Sequence, residues 1–312
     1  MKVLVTGGAG FIGSHVVGAY LAAGHDVCVV DDLSSGFRHN IPPTVRFHQV
    51  DICRPELLDV FAQEQPEIVN HQAARANVRE SFEKPILYAT VNVVGSINVL
   101  ECCRRFGVRK VIYASTGGAV YGEPETLPVC EDHPIRPLDP YGAAKHHVEH
   151  YLQIYRSQFG IDFTALRYPN VFGPRQSPDG EAGVVAIFIG KILKGQIPVI
   201  NGTGNQERDF VFVGDIARAN LQALDRAAGT ILNAGSGIGT SVNQIYDLLN
   251  SLLAFGHPPA YGPAKKGEVY RIFLKSNLAN EQLHWKPEVD LRDGLQKTIQ
   301  SFNSATSNSG AD

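Results

Sequence analysis

Cysteine is scarce and unpatterned in this chain. Cys28, Cys53, Cys102, Cys103 and Cys130 are odd in number, and none of their spacings is that of a metal-ligand set. This argues against a disulfide framework and for reduced thiols in a cytoplasmic protein. An excess of basic charge is missing too. With 28 Lys and Arg against 31 Asp and Glu, the net charge is −3 and the pI is near 6.4, so no nucleic-acid partner is expected. No stretch reaches the length of an uninterrupted membrane span, and no membrane partner is expected either. Residues 3–23 are apolar enough to suggest a signal peptide, but Gly7, Gly8, Gly10, Gly13 and His15 interrupt any apolar core. There is no internal repeat, and 312 residues can hold one large domain or two smaller ones with ample core.

What is present is concentrated at the start. Val3–Val5 is a short β-branched run that breaks into clustered glycines, and an apolar helical pattern follows (Phe11, Ile12, Val16, Val17, Tyr20, Leu21). This is strand, tight turn, helix. Gly8, Gly10 and Gly13 fit G-x-G-x-x-G, and Gly7, Gly10 and Gly13 fit its looser three-spaced form. Glycine lets the turn approach a diphosphate and lets helix and strand pack closely, while the helix N-terminus offers free N–H groups to an anion. Eighteen residues beyond Gly13, Asp31 ends the run Asp-Val-Cys-Val-Val. A carboxylate at the tip of a second strand accepts hydrogen bonds from both ribose hydroxyls and repels a 2′-phosphate, which favours NAD over NADP.

Strands are predicted at Lys2–Thr6, Asp26–Val30, Val45–Gln49, Ile68–Gln72, Lys110–Ala114 and Asp162–Arg167, with helices near 11–23, 55–64, 84–106 and 141–159. This alternation predicts an α/β fold: a doubly wound parallel Rossmann-type sheet with both faces covered. After Arg167 the rhythm changes, and Pro169, Gly173, Pro174, Pro178, Gly180 and Gly183 mark irregular chain. Helices are expected at 184–194, 241–254, 276–283 and 291–303, and strands at 198–200, 208–213 and 230–234. The expected organisation is an NAD-binding domain of residues 1–168 with a returning segment at about 205–235. A smaller discontinuous substrate lobe takes about 169–204 and 236–303, and residues 304–312, rich in Ser, Asn and Gly, form a disordered tail.

Tyr141-Gly-Ala-Ala-Lys145 opens a helix after Pro137 and Pro140, and side chains four apart share one helical face. Tyrosine is a poor base at neutral pH, and lowering its pKa from 10 to about 7 requires roughly 4 kcal/mol. One cation at about 4 Å, at an effective dielectric near 20, supplies about that much. The strand ending Ala114-Ser115-Thr116 puts hydroxyls at the carboxyl edge of the sheet, where ligands bind in such folds. Thr116, twenty-five residues before Tyr141, is a candidate for bonding the reacting oxygen and relaying its proton.

Together Gly7–Gly13, Asp31, Asp51-Ile52, His71-Gln-Ala-Ala74, Asn92, Ser115–Gly122, Tyr141–Lys145 and Arg167-Tyr-Pro-Asn170 resemble the extended short-chain dehydrogenase/reductases, and among them the UDP-glucose (UDP-galactose) 4-epimerase group. The similarity runs from Met1 to about Phe302. It implies Tyr141, Lys145 and Thr116 as the catalytic set, with Ser115 competing because Ser115–Gly122 is one residue longer than the commoner segment. It implies cofactor contacts at Gly7, Gly10, Phe11, Ile12, Gly13, Asp31 and Asp32. Asp51 and Ile52 would flank the adenine, Ala73 and Ala74 line the diphosphate path, and Lys84, Asn92 and Tyr168 help hold the dinucleotide. For a UDP-sugar it implies Thr116, Asn170, Val199, Arg208, Lys265, Glu268 and Ile272. Lys265 stands where the family usually has arginine, losing bidentate phosphate geometry, and Ala182 where many relatives carry a substrate-binding asparagine. Ile272 falls where a bulky tyrosine would exclude N-acetylated sugars.

The expected activity is interconversion of UDP-glucose and UDP-galactose at carbon 4 through a transient 4-keto sugar, with NAD kept bound. Epimerases of N-acetylhexosamines or uronic acids are the nearest alternatives. A dehydratase needs an acid and a base beside the strand-end hydroxyl, whereas Thr116 is followed by Gly117-Gly118-Ala119. Asp31 argues against a reductase that exchanges NADP, and a non-catalytic NAD sensor has no use for the hydroxyl, tyrosine and lysine together. Lys145-His-His-Val-Glu-His150 places His146 and His150 one turn apart, but no further ligands follow, so no metal is expected. The helices near 84–106 and 141–159 are instead expected to form a homodimer contact, with Leu100, Cys102, Cys103 and Tyr151 in the interface or core.

Overall fold

Runs such as Val3–Val5 and Val27–Val30 are buried along their whole length, as strands covered on both faces by helices must be. In the computed structural model, which describes residues 1–178, 183–264 and 269–308, they begin a parallel sheet. Its strands are β1 (Lys2–Thr6), β2 (Asp26–Val30), β3 (Arg46–His48), β4 (Ile68–His71), β5 (Lys110–Thr116) and β6 (Asp162–Tyr168), joined late by Thr230–Asn233. The order across the seven-stranded sheet is Thr230–Asn233, β6, β5, β4, β1, β2, β3. Because β1 pairs with both β2 and β4, the chain winds outward in both directions from β1. The crevice beyond the carboxyl ends of β1 and β4 is the place where such sheets bind ligands.

Helices α1 (Phe11–Ala22), α2 (Leu57–Glu64), α3 (Val78–Glu83), α4 (Pro85–Ala89), α5 (Ser96–Arg105) and α6 (Pro140–Phe159) connect these strands. One face of the sheet packs Val3, Val5 and Ile112 against Val16, Val17 and Tyr20 of α1 and Ile216 of the later helix Val213–Gln222. The other packs Leu4, Cys28 and Val111 against Phe61, Val99, Cys103, Val148 and Leu152. A third core joins Phe172, Phe188, Ile189, Tyr246, Leu249 and Leu295 beneath small sheets of two- and three-residue strands.

Several features differ from the sequence expectation. Strand β5 continues through Ser115 and Thr116. The span expected as one helix near 84–106 is α4, a π-helical turn at Thr90–Gly95, then α5, with α3 before it. Taken together, Pro85–Arg105 is long and apolar enough by composition to cross a membrane, contrary to the expectation that no segment reaches that length. Its apolar side chains Val99, Leu100, Cys102 and Cys103 are spent in the core against the sheet. The last helix runs Leu291–Asn308, into residues expected to be a disordered tail. All five cysteines are free thiols.

Candidate active site

The turn after β1 is built on close backbone approach. Gly7 sits at φ +66°, and a side-chain carbon there would lie 2.5 Å from the amide nitrogen of Ala73. One on Gly13 would lie 2.1 Å from the Gly7 carbonyl oxygen. Only glycine lets β1, the start of α1 and the strand β4 exit converge in this way. The resulting cleft has a volume of about 350 Å³, within the range of small-molecule sites. Its walls include Gly7, Gly10, Phe11, Ile12 and Gly13 from the turn, and Asp31 and Asp32 from the end of β2. Asp51, Ile52, Ala73, Ala74, Ser115, Tyr141, Lys145 and Tyr168 line it as well, whereas Lys84, Asn92 and Thr116 of the expected residues do not. Asp31 accepts backbone N–H bonds from Ala9 at 2.9 Å and Leu33 at 2.8 Å, which fix its carboxylate at the strand tip. Burial raises its pKa. A glycine cradle facing a fixed carboxylate suits a dinucleotide diphosphate and ribose, so these residues fit NAD.

Helix α6 begins where it does because Asp139 caps it: its carboxylate accepts the Gly142 N–H at 2.7 Å, and Pro140 occupies the first turn. Gly142 has no side chain to keep α6 off the Ala119 carbonyl, from which an added carbon would be 2.7 Å. This contact brings the Tyr141 hydroxyl close to Thr116, which eases its ionisation. Ser115 leaves β5 in another direction and donates to Glu149 Oε1 at 2.6 Å. Of the two candidate hydroxyls, then, the one beside Tyr141 is Thr116, while Ser115 lines the cleft and holds Glu149. Burial pushes the Tyr141 hydroxyl up to about 12, with Thr116 pulling the other way. Burial also takes Lys145, 3% exposed, down to about 7. In the protein alone desolvation thus outweighs the stabilisation of a phenolate that the Tyr–Lys spacing suggests.

Some expected contacts are arranged differently. Lys84 is turned away from the cleft: its ammonium pairs with Glu80 at 2.8 Å on the exposed side of α3, because the i,i+4 spacing offers a carboxylate at once. Asn92 is buried and holds the wall rather than facing the cleft, exchanging bonds of 2.8 and 2.9 Å with the backbone of Arg75. Ile272 is 2% exposed and packs with Val120, Tyr121, Val129 and Leu274. The two-residue strand Arg271–Ile272 turns Arg271 outward and Ile272 inward, so Ile272 is a core residue. Asn170 and Thr116 both flank Gly118, their side-chain oxygens each 3.9 Å from where a carbon on that glycine would sit. Arg208 donates to the carbonyls of Glu207 and Tyr270 at 2.9 and 3.2 Å. Val199 is exposed on the strand Val199–Asn201. Lys265, Glu268 and Ala182 lie outside the described residues. Among the described residues no group of three or more His, Cys, Asp or Glu could hold a metal.

Sequence reasoning missed Ser34, Ser35, Gln72, Arg75 and Val91 in the cleft wall. Ser34 and Ser35 follow the Asp31-Asp32 pair directly, so their position was a usable signal. Asn220 carried none: it bonds the Tyr168 hydroxyl at 2.7 Å from 52 residues away.

Fold and site together define a Rossmann-type dinucleotide-binding protein with a hydroxyl–tyrosine–lysine cluster at the sheet edge. Residues 3–235 match the NAD dependent epimerase/dehydratase family, and the chain belongs to that family. It is 41% identical over 308 residues to the UDP-glucose 4-epimerase of Mycolicibacterium smegmatis, covering 97% of this chain and 98% of that one. Among solved structures it is similar to a UDP-glucose 4-epimerase of Thermotoga maritima determined with UDP-glucose (TM-score 0.97, 43% identity, 98% and 100% covered). It is also similar to the Thermus thermophilus UDP-glucose 4-epimerase in complex with NAD (TM-score 0.93, 42% identity, 98% and 100% covered).

Proposed function

We propose that this protein is an NAD-dependent UDP-glucose 4-epimerase, interconverting UDP-glucose and UDP-galactose through a 4-keto sugar. The observation that carries the reading is the pairing of Tyr141 and Lys145, one helical turn apart on the wall of a cleft headed by Asp31, with Thr116 beside the Tyr141 hydroxyl. Gly7, Gly10, Gly13, Asp31, Asp51, Ala73 and Ala74 would hold NAD, which when bound supplies the hydride acceptor, and then donor, at the sugar's carbon 4. Tyr141 takes the proton of the 4-hydroxyl and later returns it, and Thr116 orients that oxygen. Lys145 supplies positive charge on the same helical face, favouring the phenolate against the burial that opposes it. Asn170, beside Gly118, and Arg208 are the substrate ligands, Arg208 for the diphosphate. A firmly gripped nucleotide with a loosely held sugar lets either face of the keto group be reduced.

The same reading divides the chain into a nucleotide-binding part, residues 1–168 with the returning segment at about 205–235, and a substrate lobe of about 169–204 and 236–303. It also makes the protein a cytoplasmic homodimer. Phe82, Ile86, Val94 and Ile154 are 52%, 81%, 55% and 49% exposed on α3, α4, the π turn and α6, which pack side by side, and a face of this kind suits a second copy.

The test is incubation of purified protein with UDP-galactose and no added cofactor, following UDP-glucose by NMR. Product should form, and denaturing the protein should release NAD(H). Absence of both would remove the epimerase reading and favour an enzyme that exchanges its cofactor.

A further inference from the structure

Glu149 is buried to 1% exposure, and nothing in the reaction above uses it. It follows Lys145 by one turn of α6, on the same buried face. Four bonds hold it. Its Oε1 accepts from Ser115 Oγ at 2.6 Å and Arg167 Nε at 2.9 Å. Its Oε2 accepts from Arg167 Nη2 at 2.7 Å and meets His146 Nδ1 at 2.9 Å. Burial resists a charge here, but these partners, Arg167 foremost, outweigh it and hold the carboxyl down at about 2. A carboxylate this firmly kept is an anion at every working pH.

Lys145 is the opposite case. Its ammonium is 4.3 Å from the centre of the Tyr113 ring, and among the described residues no carboxylate lies within ion-pair distance. The groups around it are Tyr141 on its own helix, Tyr113 from β5 and His71 from β4. Burial keeps His71 neutral, with a pKa of about 3. Arg167 of β6 is committed to Glu149. On the helices packed against α6, Glu80 is paired with Lys84 and Glu101 with Arg104. The anion whose field reaches Lys145 is Glu149.

We propose that Glu149 is a positioning residue for catalysis: a buried counter-charge, one turn behind Lys145, that keeps the lysine ammonium protonated in the cleft. This rests on the reading that Lys145 and Tyr141 act together. Burial alone lowers the lysine, Glu149 raises it, and the balance stands near 7. Ser115 is then explained as well: its hydroxyl holds the counter-charge, while that of Thr116 serves Tyr141.

The experiment follows Lys145 directly, by NMR titration of 13C-labelled lysine side chains in the holoenzyme, with the resonance identified by its loss in Lys145→Arg. Glu149→Gln keeps the shape and removes the charge. It should move the Lys145 titration down by about one pH unit or more, a tenfold smaller charged fraction above the midpoint. The basic limb of kcat should move down with it while KM changes little, and Glu149→Asp should restore both. If Glu149→Gln does not fold, Glu149→Gln/Arg167→Gln removes both ends of the ion pair, and the downward shift is again expected. A folded variant whose Lys145 titrates as in the wild type overturns the proposal and leaves Glu149 a purely structural group. A shifted lysine in a protein that does not epimerise UDP-galactose would instead uphold the counter-charge and overturn the reaction.

Discussion

Ser115 and Thr116 are adjacent hydroxyls of similar chemistry, and the structure gives them different surroundings, a hydrogen bond to the buried Glu149 carboxylate for one and the neighbouring Tyr141 hydroxyl for the other. Thr116→Ala should therefore reduce kcat more than Ser115→Ala, and Tyr141→Phe should reduce it by ~10² or more, as expected on losing a general base, with bound NAD retained. Steady-state kinetics with a cofactor assay of each variant checks this, and a Ser115→Ala loss exceeding that of Thr116→Ala would reverse the assignment. The sequence limits the choice to these two residues because both end the same strand. It cannot go further, since the deciding partner of Ser115 is fixed by tertiary packing 34 residues on. Glu149 was visible as the second step of a Tyr-x-x-x-Lys-x-x-x-Glu spacing, but spacing is silent on charge until Arg167 arrives from β6. Ile272 shows a related limit: in so short a strand a shift of one residue exchanges inside for outside.

At the scale of elements, the β–α alternation was legible because each strand is a continuous apolar run bounded by turn residues. The π turn was not, since residues 90–95 read as ordinary helix and only the hydrogen-bond pattern distinguishes them. Such turns often occur at functional sites, and here the turn carries Asn92, which clamps the Arg75 segment of the cleft wall. His71 ties these elements together: its Nδ1 bonds Thr6 Oγ1 of β1 at 2.6 Å and its Nε2 bonds Ser96 Oγ of α5 at 2.8 Å. Burial lowers its pKa from 6.5 to about 3. Below pH 6.5 the unfolded chain therefore binds a proton that the folded chain refuses. The stability owed to this group is complete above about 6.5 and is lost as pH falls toward 3, at a slope of up to about 1.4 kcal/mol per pH unit. His71→Asn should be less stable at neutral pH yet lose stability less steeply between pH 6 and 4. Urea melts across that range measure the slope, and an unchanged slope in the variant would show that His71 is not the group responsible.

For the molecule as a whole, the parallel sheet and its switch point follow from the sequence alternation, whereas the small sheets beyond Arg167 do not. Glu207–Arg208 pairs with Arg271–Ile272 across more than sixty residues, and two-residue strands leave no periodicity to detect. The apolar face on α3, α4, the π turn and α6 is the remaining large-scale feature. Of the roughly 1.5–3 kcal/mol available on fully burying a side chain of this kind, Ile86 at 81% exposure forgoes most and Ile154 at 49% about half. An isologous contact recovers that burial twice over, since a two-fold axis buries the same patch on both copies. The wild type should sediment as a dimer at micromolar concentration. Ile86→Asp/Ile154→Asp places unpaired carboxylates in that contact, where an unpartnered buried charge costs several kcal/mol, and should shift the population to monomer without altering the far-UV spectrum. Because none of the four apolar residues lines the cleft, NAD should remain bound in the monomer. A wild type that is monomeric across the micromolar range would show that this face has some other partner.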